Sequence, residues 1–239
     1  MNKRIIIAIT IIAVVVIAVV SYYGLTMKSR ELPISVDYVG GRYNVTLSLF
    51  RDGHSEIKYG DESGNHSEMY FESQMRIGLD WIKNNTPKNA IFLCWWDYGH
   101  SIKGYAERNV IARNPSREWI EMAAIARTDP SAIKEFDSND KVVDVAKALA
   151  ANNSTGTLQI MKKYGATYIA VYKDDSTKAY WMYKVAGLDP MNYLVQLQNS
   201  TSVLNEAGKQ TMISRLLNNR DTGFSLVYQD ASMKVYKID

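Results

Sequence analysis

An uncharged, mostly apolar run from Ile5 through Tyr23 gives way to short segments whose polar and apolar positions alternate first with a strand period and then with a helical one. As a helix the opening run spans roughly 28 Å at about 1.5 Å per residue, close to the ~30 Å hydrocarbon core of a bilayer. From Pro33 the pattern is β-like: "ISVDYV", Gly40-Gly41, "RYNVTLSLF", "RDG" and "SEIKYG" predict three strands, the first two joined by a two-residue hairpin. Polar "DESGNHS" then closes this unit, and Ser67 is placed to cap a helix running to about Asn84 with Met69, Met75, Leu79 and Ile82 on one face. "NNTP" stops it, because proline disfavours a helical residue before it.

Beyond that proline the pattern predicts a strand Ala90 to Cys94, a short helix around Ser101 and a strand at "NVIAR". Helices follow from Ser116 to Ala126, across "SNDKVVDVAKALAANN" with Val142, Val145, Ala146 and Leu149 inward, and from Thr157 to Tyr164. "ATYIAVY" reads as a buried strand, and "DDSTKAYWMYKVAG" as a helix capped by Gly187. A helix from about Ser202 to Leu217 and a hairpin pairing "FSLVYQ" with "MKVYKI" end the chain. The fold class expected is a mixed α/β globular domain with an amino-terminal β-hairpin unit, carried on one membrane helix. The divisions are a flank at 1–4, an anchor at 5–23, a linker at 25–32, a β unit at 33–66, a core at 67–190, and a terminal helix and hairpin at 191–239.

Charge and composition narrow the function classes. A net charge of +3 over 239 residues, with scattered Lys and Arg, gives no reason to expect a nucleic-acid partner. Lys3 and Arg4 ahead of the apolar run favour a cytoplasmic amino terminus, so the domain is expected outside the cytoplasm on a single-pass anchor in the cell membrane. A cleaved signal peptide is the rival reading, disfavoured by the run's length and the lack of a small-x-small site near "AVVSYYG". Asn-x-Ser/Thr triplets occur at Asn44, Asn65, Asn84, Asn152, Asn153 and Asn199. Cys94 is the only cysteine, which excludes an intrachain disulfide, and its place at the end of an apolar strand predicts a buried, inert thiol.

The residues with chemical promise follow the strand that ends at Cys94: Trp95, Trp96, Asp97, Tyr98 and Gly99. Carboxyl ends of strands are where α/β domains hold ligands. Indole offers an apolar face and one N–H, and an ionised carboxylate offers acceptors, so the group could enclose a side-chain alcohol. Gly99 permits a sharp turn or a close ligand. The residues equally admit a packing reading, with one indole in the core, the other over a groove, and Asp97 capping the helix after it.

"CWWDYGHSIKGYAERNV", preceded by "GLDWIKNNTPKNAIFL", closely resembles the Trp-Trp-Asp-Tyr-Gly segment of the oligosaccharyltransferase catalytic subunit, which attaches glycans to asparagine. A second stretch, "DSTKAYWM", places Asp175, Lys178 and Met182 in the Asp-x-x-Lys-x-x-x-Met spacing of archaeal-type and eukaryotic members. Lys178 and Met182 share a helix face, with Asp175 one turn earlier. The resemblance implies a site for acceptor peptides, in which Trp95, Trp96 and Asp97 receive the hydroxyl of an Asn-x-Ser/Thr sequon. Tyr98 and Gly99 complete the motif, Lys178 or Met182 lines the side, and the Met182 methylenes favour threonine. His100 departs from the aromatic residue often found after the motif's glycine.

The resemblance covers roughly Met75 to Pro190 and omits the family's polytopic membrane region. That region's acidic loops bind a divalent metal, and this chain has no counterpart for them, so no cofactor or catalytic residue is expected. Asp174–Asp175 and "DSND" at 137–140 read as solvated faces or caps rather than metal ligands. The function expected is sequon recognition in protein N-glycosylation by a glycosyltransferase-like domain that cannot transfer a glycan unaided. Its partners would be acceptor peptides, the bilayer and a separate polytopic subunit. The alternatives are a non-catalytic, membrane-anchored peptide-binding protein and a structural surface protein.

Overall fold

The computed structural model describes residues 33–51, 55–68, 71, 73–113, 141–196, 202–220 and 222–238. The apolar run at 5–23, the linker, the helix expected at 116–126 and the acidic stretch at 137–140 lie outside the described residues. Among the described residues no helix is long and apolar enough to cross a membrane.

Four strands, β1 (Ser35–Gly40), β2 (Val45–Leu49), β3 (Ser55–Asp61) and β4 (Gly64–Glu68), form an antiparallel meander. Two expectations are corrected here. The β1–β2 connection is a turn over 41–44 rather than a two-residue loop, with positive φ at Gly40, Gly41 and Asn44. The wider turn lets the Arg42 N–H donate to Glu107 Oε1 at 3.0 Å, and the Glu107 carboxylate fills the space a Cβ on Gly41 would need. The polar "GNHSE" stretch, expected as a closing loop and a helix cap, is the fourth strand, with Ser67 opposite Lys58. Its side chains pair locally instead of alternating in hydrophobicity, so periodicity gives no strand signal there.

Helix α1 (Arg76–Asn85) therefore starts late, after a 3₁₀ turn at Ser73–Met75, and buries Met75, Leu79 and Ile82. Its carboxyl end is held by Arg108, which donates to the carbonyls of Lys83 at 2.6 Å and Thr86 at 2.8 Å and to Thr86 Oγ1 at 3.0 Å. These bonds satisfy carbonyls that a helix end leaves orphaned.

The second sheet has five strands: β5 (Ile91–Leu93), β6 (Asn109–Val110), β7 (Tyr168–Tyr172), β10 (Ser225–Gln229) and β11 (Met233–Lys237). Their order is β10-β11-β7-β5-β6, with β5 parallel to both β6 and β7 and the closing hairpin antiparallel to β7. All five residues of β7 are buried, as its unbroken apolar run predicts. Helices α2 (Lys141–Ala150), α3 (Ser154–Tyr164) and α4 (Asp175–Val185) pack beside it. The inward set Val142, Val145, Ala146 and Leu149 is buried as expected, and Gly187, at φ +78°, closes α4 with its N–H on the Lys184 carbonyl.

The long helix expected over 202–217 is not continuous. Residues Ser202–Leu204 form β9, paired with β8 (Leu194–Gln196), and the helical part divides into α5 (Glu206–Lys209) and α6 (Met212–Leu217). Asn205 sets the start of α5: its Oδ1 accepts from Gly208 N at 2.9 Å, capping a helix that strand pairing precedes, and α6 begins separately after Thr211.

Candidate functional site

The connection from β5 leads to β6 on one side, while the chain leaving β7 next enters this sheet on the other side as β10, with β11 lying between the two. The gap between the carboxyl ends of β5 and β7 is thus a topological switch point, the position where open α/β sheets leave a crevice. Both sequence motifs arrive there, one after each strand.

After β5, Trp95 remains extended and Trp96–Tyr98 tightens into a 3₁₀ turn, so the two indoles do not simply alternate as in a strand. Trp95 is buried in the core and Trp96 is half-buried against it, with ring centroids 6.2 Å apart. Gly99 has an ordinary helical φ of −59°. Its requirement is close approach, because a Cβ there would lie 2.5 Å from the Ala112 carbonyl oxygen and from Arg113 Cα. The neighbour that needs the glycine is the chain itself rather than a ligand.

After β7, Asp175 turns back so that its Oδ2 accepts from Tyr172 N at 2.9 Å, and its side chain is fully buried. One turn on, Lys178 reaches across the gap to Asp97 Oδ2 at 2.6 Å and donates to the Tyr98 hydroxyl at 2.7 Å. Its ammonium is 4.2 Å from the centroid of the Tyr98 ring, which stacks on Tyr172 at 3.9 Å. The two motifs are thus joined by an ion pair between their charged residues. Met182 is fully buried in the core, and like Trp95 it presents no open surface to a ligand in this structure.

The remaining carboxylate oxygens define the site's chemistry. Asp97 Oδ1 and Asp175 Oδ1 are buried and have no hydrogen-bond partner. Burial pushes the Asp97 carboxyl above its usual range, and Lys178 only partly offsets this. Burial raises Asp175 to about 7, with the charges of Asp97 and Asp174 adding to the rise and the Tyr172 N–H and Lys178 opposing it. Burial and the same two carboxylates, Asp175 and Asp97, drive Tyr98 upward, so its hydroxyl stays protonated. Cys94 is buried and its thiol is likewise raised by burial, which makes it inert.

Asp175 has a measurable consequence. An unfolded aspartate titrates near about 3.9, so between about pH 4 and 7 the folded state keeps a proton that the unfolded chain has released. Stability therefore falls as pH rises through that window. Asp175→Asn retains an acceptor for the Tyr172 N–H and removes the titration. Urea unfolding at pH 5 and pH 8 is expected to show a smaller loss in the variant than in the parent; equal losses would contradict the assignment.

Behind the motif, the segment is tied to the four-stranded sheet by groups that sequence patterning does not single out. The buried His100 meets the Tyr59 hydroxyl through Nδ1 at 2.8 Å, and the Tyr59 ring lies where a Cβ on Gly104 would fall. Arg113 binds Asp61 and donates to Tyr59 Oη at 3.2 Å, and Lys103 reaches Glu62 at 2.8 Å. Burial would raise the Asp61 carboxyl, but hydrogen bonds from Arg113, His66 and Ser63 hold it well below the carboxylate range. Ser63, His66 and Asp61 have the composition of a nucleophile relay but not its geometry: one ring nitrogen, His66 Nε2, faces both partners. Among the described residues no group of three or more His, Cys, Asp and Glu is placed to hold a metal.

Comparison with known proteins gives two kinships. A family model described as "HaoA-associated protein HaoB" matches residues 72–202, more than half of the chain. The chain belongs to the HaoB family. This HaoB-family chain is also distantly similar to oligosaccharyltransferases. It is 25% identical over 135 residues to the dolichyl-diphosphooligosaccharide–protein glycosyltransferase subunit stt3 of Schizosaccharomyces pombe, covering 53% of the chain and 15% of that subunit. It is 39% identical over 59 residues to the dolichyl-phosphooligosaccharide-protein glycotransferase of Methanocaldococcus jannaschii, covering 22% of the chain and 6% of that protein. The matches thus span less than a fifth of these curated relatives' length. In fold, the HaoB-family chain is similar to the C-terminal globular domain of an oligosaccharyltransferase from Archaeoglobus fulgidus, at a TM-score of 0.50 and 20% identity. That likeness covers 71% of this chain and 99% of the other.

Proposed function

We propose that this chain is a membrane-tethered recognition domain whose Trp-Trp-Asp cup accepts the hydroxyl of an Asn-x-Ser/Thr peptide, and that it has no transfer chemistry of its own. The observation that carries the reading is the state of Asp97. One carboxylate oxygen is fixed by Lys178, while the other is buried without a partner at the switch point between β5 and β7. A buried acceptor left unmade costs about 1–3 kcal/mol, which a ligand hydroxyl would recover and an alanine could not. Trp96 forms the apolar wall and Lys178 fixes the carboxylate's orientation. Tyr98 and Gly99 hold the turn, Asp175 fixes the start of the helix bearing Lys178, and Trp95 and Met182 support the cup from the core. The run at 5–23 serves as the single-pass anchor, with the domain outside the cytoplasm, and any glycan transfer requires a separate polytopic subunit.

Titration of the purified protein with an Asn-x-Thr peptide and its Asn-x-Ala counterpart tests the reading. The threonine peptide is expected to bind about tenfold more tightly. Equal affinities would overturn it. Family membership favours one second reading: association with a HaoA-type protein as a non-catalytic partner, which co-purification independent of Asp97 would support.

A further inference from the structure

The edge strand β1 carries an unusual outer face. Ile34 extends the β1 ladder through its N–H to the Leu49 carbonyl at 2.8 Å, and Ile34, Val36 and Tyr38 then fall on one side of the sheet at alternate positions. They are 57%, 52% and 79% exposed, whereas Asp37, on the other side, is engaged by Arg76 at 2.6 Å. Their cross-strand neighbours are small and uncharged, the buried Ser48 beside Val36 and Thr46 beside Tyr38, and the charged pair Glu56 and Lys58 stands one strand further on the same side. An apolar row on a terminal strand is a liability that soluble proteins ordinarily blunt with charge or cover.

We propose that the Ile34–Val36–Tyr38 row rests on the lipid surface and sets the orientation of the domain over the membrane. The inference builds on the anchor reading of residues 5–23. Ten residues, 24–33, separate that run from Ile34, and a fully extended chain of that length reaches at most about 35 Å. The first strand is thus confined near the bilayer whatever path the linker takes. The intervening residues include Lys28 and Arg30, beside Glu31, and long basic side chains next to an anchor reach the headgroup level. Tyr38 has the amphipathic ring favoured at an interface, with Val36 and Ile34 supplying aliphatic contact. Weak surface insertion becomes effective here because the anchor supplies a high local concentration.

The full chain bearing Tyr38→Cys, labelled with an environment-sensitive fluorophore, is reconstituted into phosphatidylcholine–phosphatidylglycerol vesicles containing a shallow nitroxide lipid. Cys94 is buried, so the introduced thiol is the one that labels. A second preparation carries the label at Lys162→Cys on α3, which is exposed. Co-flotation with vesicles and quenching at position 38 about twofold stronger than at 162 is the expected result. Co-flotation with equal quenching at the two positions overturns the surface contact while sparing the anchor. Failure to co-float overturns the anchor and the contact with it. Self-association read from a pyrene excimer at position 38, without lipid quenching, overturns the proposal by assigning the row to a second copy.

Discussion

Lys178→Met is expected to lower the stability of the fold by about 3 kcal/mol at neutral pH, because it leaves the largely buried Asp97 carboxylate without its counter-charge. Asp97 is only 10% exposed and Lys178 25%, so the pair is far less screened than a surface bridge. Lysine also gives up its bond to the Tyr98 hydroxyl, 2.7 Å away. The sign of the pH dependence follows from Asp97, whose carboxyl is already raised by burial and would rise further without its counter-charge. A raised carboxyl stabilises the fold below its unfolded pKa, and that stability is lost as pH rises through the folded value. The variant's deficit is therefore largest near pH 8 and shrinks as pH falls toward 5. Pairing it with Asp97→Asn removes the stranded charge, so the double variant is expected to recover much of the loss. Urea unfolding of the four proteins at two pH values checks this. Strictly additive losses without pH dependence would show that the two motifs are not coupled.

Gly99→Ala is expected to be nearly as damaging, at about 1–3 kcal/mol, although its backbone geometry suits any residue. The added methyl would lie 2.5 Å from backbone atoms of Ala112 and Arg113, which no rotamer change can relieve. Moving that segment loosens Arg113 from Asp61 and Tyr59, and through Tyr59 the His100 contact just after the motif. Thermal unfolding is expected to show a lowered midpoint for Gly99→Ala. Gly40→Ala serves as the comparison: nothing lies within 4 Å of its added Cβ, so it tests the strain of a φ of +69° alone. A larger loss at Gly40 would contradict the close-approach explanation.

The sequence makes the parallel core legible because its signals are strong and local. "ATYIAVY" can be little other than a buried strand, and the spacing of Val142, Val145, Ala146 and Leu149 admits one helix face. The fourth strand of the meander is hidden because "GNHSE" is stabilised by pairing rather than by burial of alternate side chains. The late helix start at Glu206 is hidden because helix-compatible residues surround Asn205, whose capping role emerges only when Ser202–Leu204 finds its strand partner. At the site, the motifs identify the residues but not their arrangement. Lys178 and Tyr98 are 80 positions apart, and their meeting follows from β5 and β7 being parallel neighbours. That adjacency is the missing signal: an acid leaving one parallel strand and a lysine one turn beyond the next are brought together across a gap of about 5 Å. Trp95 and Met182 are likewise buried in the core, which the motif spacing alone does not reveal.

The most direct measurement is a double-mutant cycle between Asp97 and a peptide hydroxyl. Affinities of Asn-x-Thr and Asn-x-Val peptides, which differ by hydroxyl against methyl at nearly constant shape, are measured on the parent protein and on Asp97→Ala. The account predicts a coupling of about 1–3 kcal/mol, with the preference for threonine present in the parent and absent in the variant. A preference for threonine that survives the loss of Asp97, or affinities that never distinguish the two peptides, would contradict it.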